Sequence, residues 1–330
     1  MVEHCVFHVI IRPNVLSRQR KYSNKCQTEI DAVAWETYQR KEQPSYLAAS
    51  DDFFFKQSQE PLLAYTWDED SNVGSFDETD EQEELANTDT FIGNTKTKKM
   101  QKWTKQIPVS SEAFHADKVG KRAKIGEQMG DRAKLTQDKK AILNTYGDAF
   151  AGSINTTPDG DALASDSHTT LKNTTVDNLD TPALSADGLW TVVQRLANQQ
   201  AQDGEAGSYV FEGIFTPFIL YRTAKEVMDS QLVPYSGENQ INIFDTVFGT
   251  VRIAASIFLG STYNSNSNAN TSYHVLSSRH MVNRKVHRDF YTSLIPPENT
   301  ANDSYLYRGR FLEAHFPESW SGYVGCNGTV

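Results

Sequence analysis

Three aspartates and a histidine, Asp159, Asp161, Asp166 and His168, fall inside ten positions of the stretch TTPDGDALASDSH at 156–168. Carboxylate oxygens and an imidazole nitrogen are a donor set for a divalent metal, and a metal held there would make a hydrolase. The spacing argues against it. An EF-hand calcium loop needs oxygen ligands at positions one, three and five, then a glycine, and a glutamate at twelve; counted from Asp159, position five is Leu163. A zinc or iron site wants further histidines at helical or strand spacing, and the next one after His168 is His274. Pro158-Asp159-Gly160 is a turn signature by itself, because proline presets φ and glycine accepts positive φ. The aspartates are therefore expected to satisfy backbone amides in a loop where His168 finds a hydrogen-bond partner, and no catalytic, cofactor or metal residue is assigned. A metal-dependent hydrolase using Asp159, Asp161 and His168 remains the alternative from another class.

Other reactive constellations are missing from the sequence. There is no GxSxG elbow, no HExxH, and GEQMGDRAK lacks the Walker spacing and its GK[ST] ending. Cys5, Cys26 and Cys326 are odd in number and form no CxxC pair, so neither a disulfide framework nor a zinc site is suggested. In SRHMVNRKVHR, His280, Arg284 and His287 invite an anion site. Strand alternation there would put Arg284, Val286 and Arg288 on one side, and an ion-paired strand at a subunit contact is the expectation.

The elements that position these residues can be read from composition. With 330 residues, 38% hydrophobic and 11% aromatic, the chain can bury a sizeable core. A net charge of −10 argues against a protein whose main task is to grip nucleic-acid phosphates. No run reaches the ~18 apolar residues of a membrane span, and the chain reads as a soluble, cytoplasmically made product.

Residues 1–44 are basic and polar and read as a leader or flexible arm. From Asp68 to Asp89 there are ten carboxylates and no lysine or arginine, and then KTKKMQKWTK at 96–105 carries five lysines. This sign flip suggests an extended hairpin with one acidic and one basic limb. Because an isolated two-stranded hairpin is marginal in water, it must lie on another surface, and a second subunit is the expected one. A helix over about 111–140 follows, with a thin apolar side of Phe114, Ile125 and Met129 and with Gly120, Gly126 and Gly130 inside it. A second helix follows Ser185, with Leu189, Val192, Val193 and Leu196 inward, and stops at Asp203-Gly204. A third is expected from Thr216-Pro217 to about Leu232, with Ile219, Leu220, Ala224, Val227 and Met228 inward. Strands are expected in SYVFEGIF, TVRIAASIFL, YHVLSS, VNRKVH and SYLYRGRFLEAHF, the last with Tyr305, Tyr307 and Phe311 on one face and Arg308 and Arg310 on the other. STYNSNSNANTS at 261–272 reads as a flexible polar loop. The class is α+β.

The order of these parts resembles a specific family. An N-terminal arm, a charged hairpin, a glycine-marked spine helix, the loop Asp159-Gly160-Asp161-Ala162-Leu163 running on to Ser165-Asp166-Ser167-His168, and then Asp177-Asn178-Leu179 and Leu184 look like the major capsid protein of tailed double-stranded DNA phages. The segment NDSYLYRGRFLE at 302–313 and the terminal GCNGTV are similar to one capsid subgroup. The resemblance covers roughly residues 45–330 and implies the HK-ninety-seven-type capsid fold. It divides the chain into an N-terminal arm at 45–75, an extended loop at 76–106, a peripheral domain at 107–180 and 286–330 that carries the spine helix, and an axial domain at 181–285. It implies a non-enzymatic head protein without cofactor that assembles into pentamers and hexamers of an icosahedral shell around packaged double-stranded DNA, which it contacts without sequence preference. Portal, scaffold and decoration proteins would be partners and the virion the location. An encapsulin-like compartment shell is the alternative within the fold.

Overall fold

The computed structural model describes residues 31–39, 53–71, 92–115, 121–230, 242, 244, 247–248, 251–299 and 304–328. Helix α1 (residues 31–39) is followed by β1 (Lys56–Gln59), β2 (Ala64–Asp70), β3 (Ile92–Lys99), β4 (Gln101–Ser110), the short α2 (Ser111–His115) and the long α3 (Lys121–Asn144). Next come the two-residue strands β5 (His168–Thr169), β6 (Thr175–Val176) and β7 (Leu179–Asp180), then α4 (Ala186–Ala197), β8 (Gly213–Pro217) and α5 (Tyr221–Asp229). The chain finishes with β9 (Arg252–Ser256), β10 (Tyr273–Leu276), β11 (Val282–Ile295), β12 (Ser304–Pro317) and β13 (Tyr323–Cys326). Contact density separates two units: Met1–Arg40 with Thr104–Lys134 and Phe290–Phe311, and Lys41–Trp103 with Leu135–Asp289 and Leu312–Val330. β4, α3, β11 and β12 each begin in one unit and end in the other. Among the described residues no helix is long and apolar enough to cross a membrane.

The second unit is built on a five-stranded sheet in the order β7-β13-β10-β8-β9. Its strands are buried on both faces, so alternate residues enter different cores. Tyr273, Val275, Ile214, Val324 and Cys326 meet Leu189, Val192, Val193 and Leu196 of α4 and Val227 and Met228 of α5. Phe215, Leu276 and Tyr323 meet Phe54, Ile142, Tyr146 and Leu163 on the other side. The spacing of α4 predicts this packing, and Ser185 caps it as expected, its Oγ accepting from the Gly188 N–H at 3.1 Å. The helix ends at Ala197, before the expected Asp203-Gly204, which forms a separate turn with Gly204 at φ 79. The third helix also differs from expectation. Thr216-Pro217 end the buried strand β8, a 3-10 turn follows, and α5 starts at Tyr221; Ala224, Val227 and Met228 are inward, but Ile219 is 65% exposed. The expected end near Leu232 lies outside the described residues. The loop at 261–272 is a run of asparagine turns, in which Asn264 and Asn266 accept from backbone N–H groups two residues on.

A four-stranded sheet has the order β1-β11-β12-β4, with β1 parallel to β11 and Lys56 opposite Asn283. β12 alternates as its sequence demands: Tyr305, Tyr307 and Phe311 are buried, and Arg308 and Arg310 are partly exposed. On β11, Arg284 is buried and ion-paired to its own chain, with Nε and Nη2 donating to Glu313 Oε2 at 3.1 and 2.9 Å, so its partner is not a second subunit.

In the first unit, residues 31–39 fall within the stretch expected to be a flexible arm, yet form a helix with Ala34, Thr37 and Tyr38 buried. The expected spine helix appears as α2 and α3, with residues 116–120 outside the described set. Its inward stripe is Met129, Gly130 and Ala133, and Ile125 is only half-buried. Gly130 is required by close approach: a Cβ there would stand 2.3 Å from the Ala34 carbonyl oxygen and 3.0 Å from the Tyr38 nitrogen. Alanine would gain about 1 kcal/mol of helix propensity but meet backbone, an overpacking worth about 1–3 kcal/mol. Gly130→Ala is accordingly expected to strip residues 31–39 of hydrogen-exchange protection and to leave α4 protected; equal protection of both segments would refute the crossing.

Candidate functional site

The loop that raised the metal question is the place where the charged hairpin meets the body of the chain. β2 and β3 pair antiparallel, with Tyr65 opposite Lys98 and Trp67 opposite Lys96. The two limbs therefore form the expected hairpin over the described residues, while most of the acidic limb, 72–91, lies outside them. The surface under this root is not a neighbour's. Lys96 Nζ donates to the Thr156 and Thr157 carbonyls at 2.6 and 2.8 Å, and Lys98 Nζ donates to Asn155 Oδ1 and, at 3.4 Å, to the Ile154 carbonyl. Trp67 stacks on Phe316 at 4.5 Å between ring centres and donates its indole N–H to the Glu318 carbonyl at 3.0 Å. The expectation that the limb rests on a second subunit is thus corrected for its root, which leans on its own chain. The desolvated lysines explain the geometry, since buried ammonium groups must find several acceptors.

Asp148 prepares that seat. Its Oδ1 accepts from the Ser153 N–H and hydroxyl at 2.9 and 2.6 Å, and Oδ2 from the Ile154 and Asn155 N–H groups at 2.7 and 2.8 Å. The strand of loop that receives the lysines is therefore fixed by one carboxylate. Sequence reasoning missed Asp148, because its partners lie five to seven residues on, outside any turn pattern.

Beyond the seat, Asp159, Asp161 and His168 come together, with one ligand atom from each within 4.8 Å of the others; Asp166 is not in the group. His168 is fully buried, stacked on Trp320 at 5.3 Å, with Nδ1 at 2.7 Å from Asp159 Oδ2 and Nε2 at 3.3 Å from the Leu163 carbonyl. Asp159 Oδ1 accepts from the Thr157 hydroxyl at 2.5 Å and the Asp161 N–H at 3.4 Å. This is the expected loop arrangement, with the aspartate on backbone and hydroxyl donors and the histidine partnered. Burial pushes the Asp159 carboxyl up, but His168, Thr157 and the Asp161 amide more than offset it, and its pKa falls below the ordinary carboxylate range. Burial lowers the pKa of Lys96 against the pull of Asp159, and burial together with Asp159 raises that of Glu69. Glu69, which also accepts from Gln202 Nε2 at 3.3 Å, is a second residue of the cluster that the sequence did not single out.

This arrangement has a mechanical effect. It clamps the root of a long charged arm through half-buried charge-assisted bonds. Asp159→Asn is expected to cost about 1–3 kcal/mol, since it removes the charge that faces His168 and Lys96. The loss should be largest near neutral pH and shrink as acid protonates the native carboxyl, because a depressed carboxyl stabilises only where it is ionised. Urea midpoints at pH 7 and at pH 3 check this, and equal losses at both would refute it.

No known sequence family and no curated protein matches this sequence. Solved structures do. The chain is similar to the capsid of a native GTA particle, with a TM-score of 0.54 at 10% identity over 88% of this chain and 95% of that one. It is similar to the mature capsid of bacteriophage PhiM1, with a TM-score of 0.51 at 12% identity over 87% and 88%. It is also similar to the capsid of Myoviridae phage XM1, with a TM-score of 0.50 at 13% identity over 88% and 95%. A hairpin clamped at its root, a long helix and a sheet buried on both faces together make one architecture: the chain has the α+β fold of tailed-phage capsid proteins.

Proposed function

We propose that the chain is a major capsid protein, a non-enzymatic subunit that assembles into pentamers and hexamers of an icosahedral head around double-stranded DNA. One observation carries the reading: the likeness to capsid subunits extends over 88% of the chain and 95% of theirs. In this reading 45–75 is the N-terminal arm, 76–106 the extended loop, 107–180 with 286–330 the peripheral domain, and 181–285 the axial domain at the five- and six-fold axes. Contacts repeated by rotation close rings, and rings that touch close a shell even when each patch is ordinary in size. A net charge of −10 keeps packaged DNA from sticking and leaves its contacts sequence-blind. Portal and scaffold proteins are the partners this reading brings with it, decoration proteins are an optional addition, and it implies assembly in the host cytoplasm and residence in the virion.

Electron microscopy of the expressed chain tests the reading. Closed shells of uniform diameter, from the chain alone or with its scaffold, are the expected result, and monomers under both conditions would overturn it. Charge reversal of the basic limb is the accompanying test. Lys98→Glu would also break the tether to Asn155, so Lys99→Glu, at an exposed position, isolates the effect between subunits. It is expected to leave the fold intact and lower shell yield at physiological salt; unchanged yield would count against a role of this limb in assembly.

A further inference from the structure

Glu69 is a carboxylate of the hairpin root that is 5% exposed, while its neighbours on β2, Asp68 and Asp70, alternate to the exposed side. Its surroundings suit an anion poorly. Gln202 Nε2 donates to its Oε1 at 3.3 Å and Asn94 Nδ2 to its Oε2 at 3.4 Å, both longer than the roughly 2.7–2.9 Å of a charge-assisted bond. Lys96 on β3 attracts Glu69 but spends all three ammonium protons on the Thr156 carbonyl and hydroxyl and the Thr157 carbonyl. From the loop at 156–168, Asp159 repels its negative charge and His168 favours it. In the turn that carries Gln202, Asp203 accepts from the Glu205 N–H at 3.0 Å. Burial first, and Asp159 second, push the Glu69 carboxyl above its ordinary 4.5, against Asn94 and His168.

Gln202 offers what a carboxylate cannot use. Its side chain is 8% exposed, and while Nε2 donates to Glu69, the buried Oε1 has no hydrogen-bond partner among the described residues. An ionised carboxylate has acceptors only, so it leaves that oxygen unmet. A carboxylic acid has one O–H donor. With the proton on Oε2, Glu69 can return a bond to Gln202 Oε1 while Gln202 Nε2 still donates to Glu69 Oε1, and acid and amide close a ring of two hydrogen bonds. A single proton thus removes the buried charge that faces Asp159 and supplies the missing donor.

We propose that the hairpin root is a proton-operated latch, closed when Glu69 takes a proton from solvent and pairs with Gln202, and loosened when Glu69 returns the proton. Glu69 belongs to the hairpin and Gln202 to the turn that follows α4, so the ring ties one to the other. Both residues border a cleft of about 890 Å³, through which protons exchange with solvent. The sign follows from linkage. A carboxyl whose docked value lies above its ordinary one favours docking in the protonated form, so the tie is complete below pH 4.5 and is lost as pH rises through the docked value. Asp159 works the other way, since its depressed carboxyl supports the root only when ionised.

Hydrogen exchange of the full-length chain tests the latch, with rates corrected for the intrinsic pH dependence of exchange and with α4 as the internal reference. Protection of 64–70 and 92–99 relative to α4 is expected to rise several-fold as pH falls from 8 to 5. Glu69→Gln keeps a donor toward Gln202 Oε1 at every pH, so it should hold the root at the acid level throughout. A flat profile in the parent chain overturns the latch. So does a root that Glu69→Gln leaves looser than the parent at pH 8, or a pH dependence that survives in Glu69→Gln and therefore belongs to His168 or another group. Should Glu69→Gln fail to fold, seen as lost protection of α4, Gln202→Met decides: it removes the amide at similar volume and should abolish the rise, and a rise that persists refutes the pairing. None of these readouts depends on shells forming, so the capsid reading stands or falls separately.

Discussion

Glu313→Ala is expected to lower stability by about 3–5 kcal/mol. The reason is burial at both ends of the pair: Arg284 is 4% exposed and Glu313 not at all, and two guanidinium nitrogens bond one carboxylate oxygen. Removing the carboxylate takes two charge-assisted bonds from a buried guanidinium. Burial alone would raise the pKa of Glu313, yet His315 and Arg284 reverse the direction and hold it below the ordinary range, so its support is lost as pH falls through the native value. The double variant Arg284→Met with Glu313→Leu removes both charges and keeps the volume, and it is expected to stay close to the parent. Urea unfolding of the three chains decides the matter. If the double variant lost as much as Glu313→Ala, the penalty would come from packing, not from the loss of the buried ion pair.

The second large effect is acid sensitivity that begins well above the carboxylate range. His274 is fully buried among Tyr146, Phe150, Phe215 and Tyr323, with Nδ1 2.7 Å from the Tyr323 hydroxyl, and burial pushes its pKa down to about 3. His280, against the Phe53 carbonyl, is pushed down to about 4, chiefly by burial. Both native values lie below the ordinary 6.5, so between pH 6.5 and 4 the unfolded chain binds the two protons more readily than the folded one. Stability is complete above pH 6.5 and should fall beneath it with a slope that approaches about 2.7 kcal/mol per pH unit. His274→Gln retains a hydrogen-bonding group and cannot protonate in this range, and it should roughly halve that slope. Urea midpoints between pH 7.5 and 4.5 provide the measurement, and a flat profile would refute the assignment.

Local chemistry made part of this architecture legible. α4 announced itself because its cap and its inward residues lie within twelve positions, and β12 because its alternation is uninterrupted. The hairpin could be foreseen from the reversal of charge between its limbs. Its seat could not, since Lys96 finds Thr157 across 61 positions and Trp67 finds Glu318 across 251. Such pairings are decided by tertiary packing and leave no spacing in the sequence. Thr216-Pro217 misled because a threonine-proline pair suits both the start of a helix and the end of a strand, and only the burial of β8 distinguishes them. The glycines of the spine helix read as a cost to propensity; at Gly130 the missing side chain is what admits α1. At the loop of Asp159 and His168, turn chemistry pointed to an aspartate on backbone and hydroxyl donors and a partnered histidine, both of which the geometry contains, and the same residues also keep their ligand atoms within 4.8 Å.

The four elements shared by both units carry a consequence for biosynthesis. The first unit needs α1, the early half of α3 and the middle of β12, so no amount of waiting lets it finish before residue 311 has left the ribosome. Maturation of the subunit cannot proceed module by module from the N-terminus, and a growing chain must hold an incomplete core for most of its synthesis. The net charge of −10 also keeps unfinished copies apart until the late strands arrive.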